Sequence, residues 1–170
     1  MHARFPLRPV FVAICVYSFG LIGFGLLLQS FKGITPCPMC IMQRYAFVGA
    51  GLIGLLGAIH NPNGFMRRVY AFLIFAVSLA GLGVAIRQSW LQHFPPTQTV
   101  CGPDLSYMLN SFPLGEALPM LFQGYGDCSV VDWTFLGLSI AEWSIVNFML
   151  IAGFAFWQMV RTGPERRRFG

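Results

Sequence analysis

The most prominent pattern in this chain is a set of four long apolar runs separated by polar segments. The runs cover residues 10–29, 41–59, 69–86 and 143–160, and each is 18 to 20 residues long. A helix of about 20 apolar residues crosses the hydrocarbon core of a bilayer. The pattern therefore predicts an all-α membrane protein in which residues 1–170 form one domain, a four-transmembrane-helix bundle.

A signal peptide is the alternative interpretation of the first run, because a short basic leader precedes it. Signal peptides have a shorter apolar core and a small-residue cleavage site. This run instead continues through Leu26, Leu27 and Leu28 without such a site. We expect it to remain in the protein as the first span.

Two polar segments, residues 30–40 and 87–142, are expected to be loops on one side of the membrane. Prolines recur between residues 95 and 119 and discourage long helices in the second segment. Leu114, Leu118 and Phe122 nevertheless share one helical face, which predicts a short interfacial helix lying on the bilayer. A short apolar segment packed on the loop itself is the alternative.

Small residues recur at helical spacing in two of the runs. Ala50, Gly54 and Ala58 lie four residues apart in the second run, and Ala76 and Ala80 do so in the third. Small side chains let membrane helices approach each other closely. We expect both stripes to be contacts between helices.

The composition agrees with a chain embedded mostly in lipid. Hydrophobic residues make up 56% of it and charged residues only 10%, which is far from the balance of a soluble globular domain. The net charge is +5. Because the basic residues cluster at the chain ends and in one turn, and not on one face, we expect no nucleic-acid partner.

The distribution of basic residues predicts the orientation in the membrane. Cytoplasmic segments carry an excess of lysine and arginine. Eight basic residues lie in the leader, the second turn and the tail: Arg4, Arg8, Arg67, Arg68, Arg161, Arg166, Arg167 and Arg168. Three lie on the opposite side: Lys32, Arg44 and Arg87. We therefore expect both termini in the cytoplasm and both polar loops outside.

The five cysteines are the main candidates for chemistry. Cys15 is embedded in the first apolar run, and we expect it to be a small buried hydrophobe. Cys37, Cys40, Cys101 and Cys128 all fall on the predicted outer side, where disulfides persist. The cysteines thus indicate the same compartment for the loops as the arginines do.

Cys37 and Cys40 form a Cys-x-x-Cys pair at the start of the second apolar run. Proline is favoured at the first position of a helix, so Pro38 predicts Cys37 at the N-cap and Cys40 at the third helical position. A helix N-terminus and a nearby arginine both stabilise a thiolate. Arg44 shares a helix face with Cys40 and is either functional or a snorkelling anchor.

Several kinds of site are compatible with four cysteines. A zinc site is disfavoured because Cys101 and Cys128 lack Cys-x-x-Cys spacing, and we expect no metal. Two structural disulfides in a non-catalytic membrane adaptor are an alternative. The preferred hypothesis is a thiol–disulfide oxidoreductase whose loop pair exchanges with a soluble dithiol. Its membrane-edge pair, Cys37 and Cys40, would then reduce a quinone, with Arg44 stabilising the reduced oxygen.

These motifs resemble the DsbB family, the quinone-linked disulfide-forming proteins of the bacterial inner membrane. The resemblance rests on Cys-Pro-Met-Cys followed by Met-Gln-Arg at the outer end of the second span, and on the second cysteine pair. Gly-Asp-Cys at residues 126–128 and Trp-Thr-Phe-Leu-Gly-Leu at residues 133–138 add to it. A vitamin K epoxide reductase-like enzyme is the rival, but its Cys-x-x-Cys lies on the last helix of the bundle.

The resemblance implies a role for each of five residues. Cys101 would form the mixed disulfide with a DsbA-like periplasmic thioredoxin-fold protein. Cys128 would be its partner in the loop and would exchange with Cys37. Cys40 would face ubiquinone, or menaquinone without oxygen, and Arg44 would be the arginine of the quinone site.

Gln88 departs from the pattern of some family members, which carry histidine just after the residue matching Arg87. Glutamine hydrogen-bonds a carbonyl but cannot donate a proton at neutral pH. His93 is near in sequence, but we do not assign that role to it.

Overall fold

The computed structural model describes residues 7–33, 37–62, 64–95, 131 and 133–160. Four helices make up most of this part: α1 Leu7–Lys32, α2 Pro38–His60, α3 Gly64–His93 and α4 Ile140–Val160. A hairpin of β1 Thr134–Phe135 and β2 Leu138–Ser139 directly precedes α4. All four helices are long and apolar enough to span a membrane, so the expected four-helix membrane protein is confirmed.

The helices pack against one another in chain order. Helix α2 contacts both α1 and α3, and α3 contacts α4. The ring of Phe47 on α2 also stacks on that of Phe148 on α4, with centroids 4.1 Å apart. Helices α1 and α3 finish, and α2 and α4 begin, at the same end of the bundle, which we call the cysteine end.

Small residues determine how closely α1 and α2 approach. Ala50 and Ala58 are buried. A Cβ atom added to Gly54 would lie 3.1 Å from the backbone oxygen of Phe11, so even a methyl group there would press on the backbone of α1. The contact predicted from the spacing of these small residues is confirmed.

The small-residue contact predicted for α3 is wrong, because Ala76 and Ala80 are exposed on the outside of the bundle. The close approach lies at Gly81, where an added Cβ would be 2.4 Å from the ring of Phe148 and 2.9 Å from Ala46. Small residues that face lipid repeat with the same spacing as those at a helix contact. The spacing alone therefore selected the wrong face of α3.

Each helix is longer than the apolar run that predicted it, and α3 continues through polar residues to His93. A reciprocal capping box fixes the start of α4. The Ser139 hydroxyl accepts a hydrogen bond from the Glu142 N–H at 3.3 Å, and the Glu142 carboxylate accepts one from the Ser139 N–H at 2.7 Å. These two hydrogen bonds join the end of the hairpin to the first turn of α4.

The hairpin lies in a segment where we expected no strand. Thr134 pairs with Ser139, and Phe135 pairs with Leu138. The two residues between them have positive φ, 54° at Leu136 and 82° at Gly137. Positive φ at both central positions matches the twist of the flanking strands, so this short turn returns the chain directly to α4.

Candidate functional site

Cys37 and Cys40 lie at the N-terminus of α2, as predicted. Cys37 is the N-cap residue, and its sulfur accepts a hydrogen bond from the Cys40 N–H at 3.4 Å. Pro38 opens the helix. The free N–H groups of a first helical turn carry partial positive charge, so the pair sits where a helix stabilises negative sulfur.

The two sulfur atoms are 3.2 Å apart, and the Cys37 thiol donates to the sulfur of Cys40. This is a hydrogen-bond distance, longer than the ~2.05 Å of a disulfide, so the two sulfurs are not bonded covalently to each other. Cys37 is only 8% exposed, whereas Cys40 is half-buried. Cys40 is therefore the more accessible sulfur of the pair.

Gln88 brings α3 into contact with both sulfurs. Its Nε2 lies 3.1 Å from Cys40 Sγ and 3.5 Å from Cys37 Sγ, and it donates to both. Its Oε1 accepts a hydrogen bond from Nε2 of Gln43 at 2.7 Å. The sulfur of Cys40 thus accepts from two side chains, and hydrogen bonds of this kind favour a charged acceptor.

Arg44 lies one helical turn after Cys40, and both line one cavity. Nη1 of Arg44 donates to Oε1 of Gln29 on α1 at 2.8 Å. The side chain is half-buried, and this contact holds its guanidinium at the cavity wall. Arg44 thus lies at the wall of the cavity that Cys40 also lines, and its functional role stays a prediction.

The cavity has a volume of about 550 Å³ and lies at the cysteine end of the bundle. All four helices and the hairpin contribute to its wall. Apolar and aromatic side chains form most of this wall, among them Phe24, Leu28, Phe47, Trp133, Phe135 and Trp143. Cavities of this size and character are typical of sites for small organic molecules.

Aromatic residues in the hairpin and directly before it line part of the cavity. The rings of Trp133 and Phe135 are stacked, with centroids 5.8 Å apart. The indole N–H of Trp143 donates to the backbone oxygen of Phe135 at 3.0 Å, which ties the hairpin to α4. Between α1 and α4, the Tyr17 hydroxyl donates to Oδ1 of Asn147. These contacts join the elements that carry the aromatic part of the cavity wall.

The structure thus brings together Cys37, Cys40 and Arg44 from the predicted site. Cys101, Cys128 and the predicted interfacial helix lie outside the described residues, so their placement stays a prediction. Cys15 is half-buried on α1 and is not part of the cavity wall. Within the described ranges, no three His, Cys, Asp or Glu side chains are grouped as a metal ion would require.

Sequence reasoning missed several parts of the site. Gln29 and Gln43 received no role, although a polar side chain inside an apolar run is a signal that could have identified them. The contact of Gln88 with the sulfurs was not foreseen either. His93 has no part in the cavity, and its ring faces Glu142 at 3.8 Å with 62% of the side chain exposed.

Four helices able to span a membrane, with a hydrogen-bonded cysteine pair beside an apolar cavity, are the features of a multi-pass membrane protein with a thiol site. Comparison with known proteins identifies the family. The family model described as disulfide bond formation protein DsbB matches residues 7–158, and the chain belongs to this family.

Individual relatives agree with the family assignment. A protein of Azoarcus sp. (strain BH72) named disulfide bond formation protein B is 55% identical over 150 residues, covering 88% of this chain and 90% of the relative. A protein of the same name from Aromatoleum aromaticum is 54% identical over 157 residues, covering 92% and 95%. That from Hahella chejuensis is 50% identical over 150 residues, covering 88% and 91%.

Proposed function

We propose that this protein is a quinone-dependent, protein-disulfide-generating oxidoreductase. It reoxidises a DsbA-like periplasmic thioredoxin-fold protein and passes the electrons through two cysteine pairs to a membrane quinone. One observation carries the proposal: the sulfur of Cys40 and the guanidinium of Arg44 line the same apolar cavity. Membership of the DsbB family supports it, and decides against the vitamin K epoxide reductase-like alternative.

The cavity residues fit a quinone. A quinone ring is flat and apolar with two carbonyl oxygens, and aromatic side chains such as Phe47 and Trp133 offer matching surfaces. Arg44 supplies N–H donors for a carbonyl oxygen. A bound ubiquinone, or menaquinone without oxygen, supplies an acceptor for two electrons and two protons.

The residues of the pair have different roles in this proposal. Cys40 is the electron donor, because its sulfur accepts hydrogen bonds from both Cys37 and Gln88 and is the more exposed one. Cys37 then completes the disulfide with it. Two electrons and two thiol protons leave the pair when the disulfide forms. Arg44 stabilises negative charge on the acceptor oxygen.

The loop cysteines connect the membrane pair to the soluble partner. Cys101 forms a mixed disulfide with the partner, and a Cys101–Cys128 disulfide is reduced to a dithiol as the partner is oxidised. The loop dithiol then reduces the Cys37–Cys40 disulfide by exchange between Cys128 and Cys37. The arginine distribution supports a periplasmic location for these loops in an inner membrane protein.

Quinone reduction by the purified protein tests the proposal. The full chain in lipid nanodiscs is mixed with a ubiquinone analogue and a reduced DsbA-like protein, and loss of quinone absorbance is followed. We expect turnover that depends on both substrates. A non-catalytic adaptor with two structural disulfides would give no quinol, and repeating the assay with a menaquinone analogue compares the two acceptors.

Cysteine variants assign the steps. Cys40→Ser should abolish quinone reduction while mixed disulfides with the partner still form. Cys101→Ser should block exchange with the partner but leave the Cys37–Cys40 pair able to reduce quinone. Cys15→Ser is the control and should change little. The assignment is wrong if Cys15→Ser stops turnover as completely as Cys40→Ser does.

A further inference from the structure

The amide of Gln88 has its two ends in different environments. Its Nε2 donates to the sulfurs of Cys40 and Cys37, and its Oε1 accepts from Gln43 Nε2 at 2.7 Å. Gln43 and Gln88 are each only 3% exposed. Water therefore has little access to this amide pair, and the hydrogen bonds between protein groups decide how each amide is turned.

The direction of the Gln88 amide matters because its two ends have opposite effects on a sulfur. An N–H group stabilises negative charge on sulfur, whereas a carbonyl oxygen repels it. The two ends have nearly the same shape, so packing alone does not select one. Turned by half a rotation, Gln88 would present Oε1 to the sulfur pair and remove its donor.

We propose that Gln43 is a positioning residue for the redox pair, which acts by holding the Gln88 amide with its N–H group on the sulfurs. Gln43 donates from its Nε2 to Oε1 of Gln88 and so occupies the end of that amide that lies away from the sulfurs. By doing so it keeps a hydrogen-bond donor on the Cys40 sulfur, which favours the reduced form of the Cys37–Cys40 pair. This inference rests on the proposed redox role of that pair.

Gln43 is well placed for this task by the helix that carries it. It follows Cys40 by three residues on α2, and its side chain is buried against α3. The same helix thus supplies the reactive sulfur and the group that orients the α3 donor. Cys40 and Gln43 therefore approach Gln88 from the same helix, one at each end of its amide.

The thiol–disulfide equilibrium of the pair tests the proposal without quinone or partner. Full-length protein with Cys15, Cys101 and Cys128 replaced by serine is equilibrated with glutathione buffers, in which two glutathione thiols convert the Cys37–Cys40 disulfide to the dithiol and yield oxidised glutathione. The ratio of the two forms is read by thiol alkylation. The result is independent of quinone reduction, so this proposal and the proposed function fail separately.

The central variant is Gln43→Met, which keeps the side-chain length but has no donor. We expect it to shift the equilibrium about fivefold to tenfold towards the disulfide. A shift of this size corresponds to partial loss of one hydrogen bond to a charged group. A tenfold shift corresponds to about 30 mV in a two-electron couple. Gln43→Glu should shift it further, because a carboxylate only accepts and draws the N–H end of Gln88 away from the sulfurs.

A double-mutant cycle separates positioning from any direct effect of residue 43. In a Gln88→Met background, Gln43→Met should leave the equilibrium unchanged, because the amide on which it acts is gone. In the same background, Gln43→Glu should shift the equilibrium only through the direct effect of its negative charge on the sulfur pair. Equal shifts with and without Gln88 would overturn the proposal, and so would an unshifted equilibrium in Gln43→Met.

Gln158→Met is the matched control. Gln158 is a fully buried glutamine on α4 whose side-chain nitrogen and oxygen have no hydrogen-bond partner among the described residues. Its replacement removes a buried amide without touching the sulfur pair, so the glutathione equilibrium should stay at the parental value. A shift equal to that of Gln43→Met would show a general effect of losing a buried amide and would overturn the proposal.

Discussion

Arg44→Met should cripple quinone reduction while leaving the protein folded. The substitution removes a guanidinium that lines the cavity beside Cys40 and is held there by Gln29 at 2.8 Å. Preorganised donors to a developing oxyanion are worth about 2–4 kcal/mol. At 1.36 kcal/mol for each factor of ten, the loss in kcat/KM for quinone should be about 30-fold to 900-fold.

Two milder variants separate the contributions of Arg44 to quinone reduction: its charge, the planar arrangement of its donors and its positioning by Gln29. Arg44→Lys keeps the charge but loses the planar fork of donors, so it should raise the quinone KM and retain part of the turnover. Gln29→Met keeps the guanidinium but removes the side chain that holds it, and should cost about 1 kcal/mol, the value of one hydrogen bond. We expect the order Gln29→Met, Arg44→Lys, Arg44→Met from mildest to most severe.

The assay is the initial rate of quinone reduction against quinone concentration, with the partner dithiol saturating. Arg8→Met serves as the control, because Nε of Arg8 donates to the Ala58 backbone oxygen at 3.1 Å, at the opposite end of the bundle. It removes an arginine from the protein but not from the cavity, and should leave the quinone KM unchanged. Unaltered kinetics in folded Arg44→Met protein would reduce Arg44 to a membrane anchor.

Two further predictions concern topology and packing. A membrane-impermeant thiol reagent applied to intact cells after reduction should label Cys101 and Cys128, and labelling only after the inner membrane is opened would refute the orientation. Gly81→Ala should lower the free energy of unfolding of the detergent-solubilised protein by about 1–3 kcal/mol through overpacking, since the added Cβ would lie 2.4 Å from the ring of Phe148. Gly83→Ala, with nothing within 4 Å, is the matched control, and equal stability of the two variants would contradict the packing.

The parts of the fold that depend on local sequence could be predicted. The four helices could be predicted from apolar runs long enough to cross a bilayer. In lipid, backbone N–H and C=O groups find partners only within a helix, so such runs must be helical. The start of α2 could be placed to the residue, since Pro38 and Cys37 satisfy the rules of a helix N-terminus locally. No distant contact was needed for either inference.

The parts that depend on contacts between helices could not be predicted in the same way. Gln43 and Gln88 are 45 residues apart in sequence and 2.7 Å apart in space, and no local pattern records this. Ala76 and Ala80 illustrate the converse, because their spacing is right for a contact but their face of α3 points outward. Which face of an almost uniformly apolar helix is buried is decided by its neighbours.

The hairpin before α4 depends partly on local sequence and partly on contacts between helices. The Leu136–Gly137 turn has a local cause, the tolerance of glycine for positive φ. Its function as a cavity wall depends on the packing of Trp133 and Phe135 against the bundle. Sequence reasoning recognised this segment as a shared motif without assigning it a structure.

A single-turnover experiment tests most directly whether the Cys37–Cys40 dithiol is the immediate electron donor to quinone. Protein with Cys101 and Cys128 replaced by serine is reduced, freed of reductant and mixed with a ubiquinone analogue in the absence of oxygen. Quinol and remaining thiols are then counted. We predict one quinol and one new disulfide per protein molecule, and no quinol from the same protein with Cys40→Ser. A dithiol that stays reduced in the presence of quinone would contradict the proposed function.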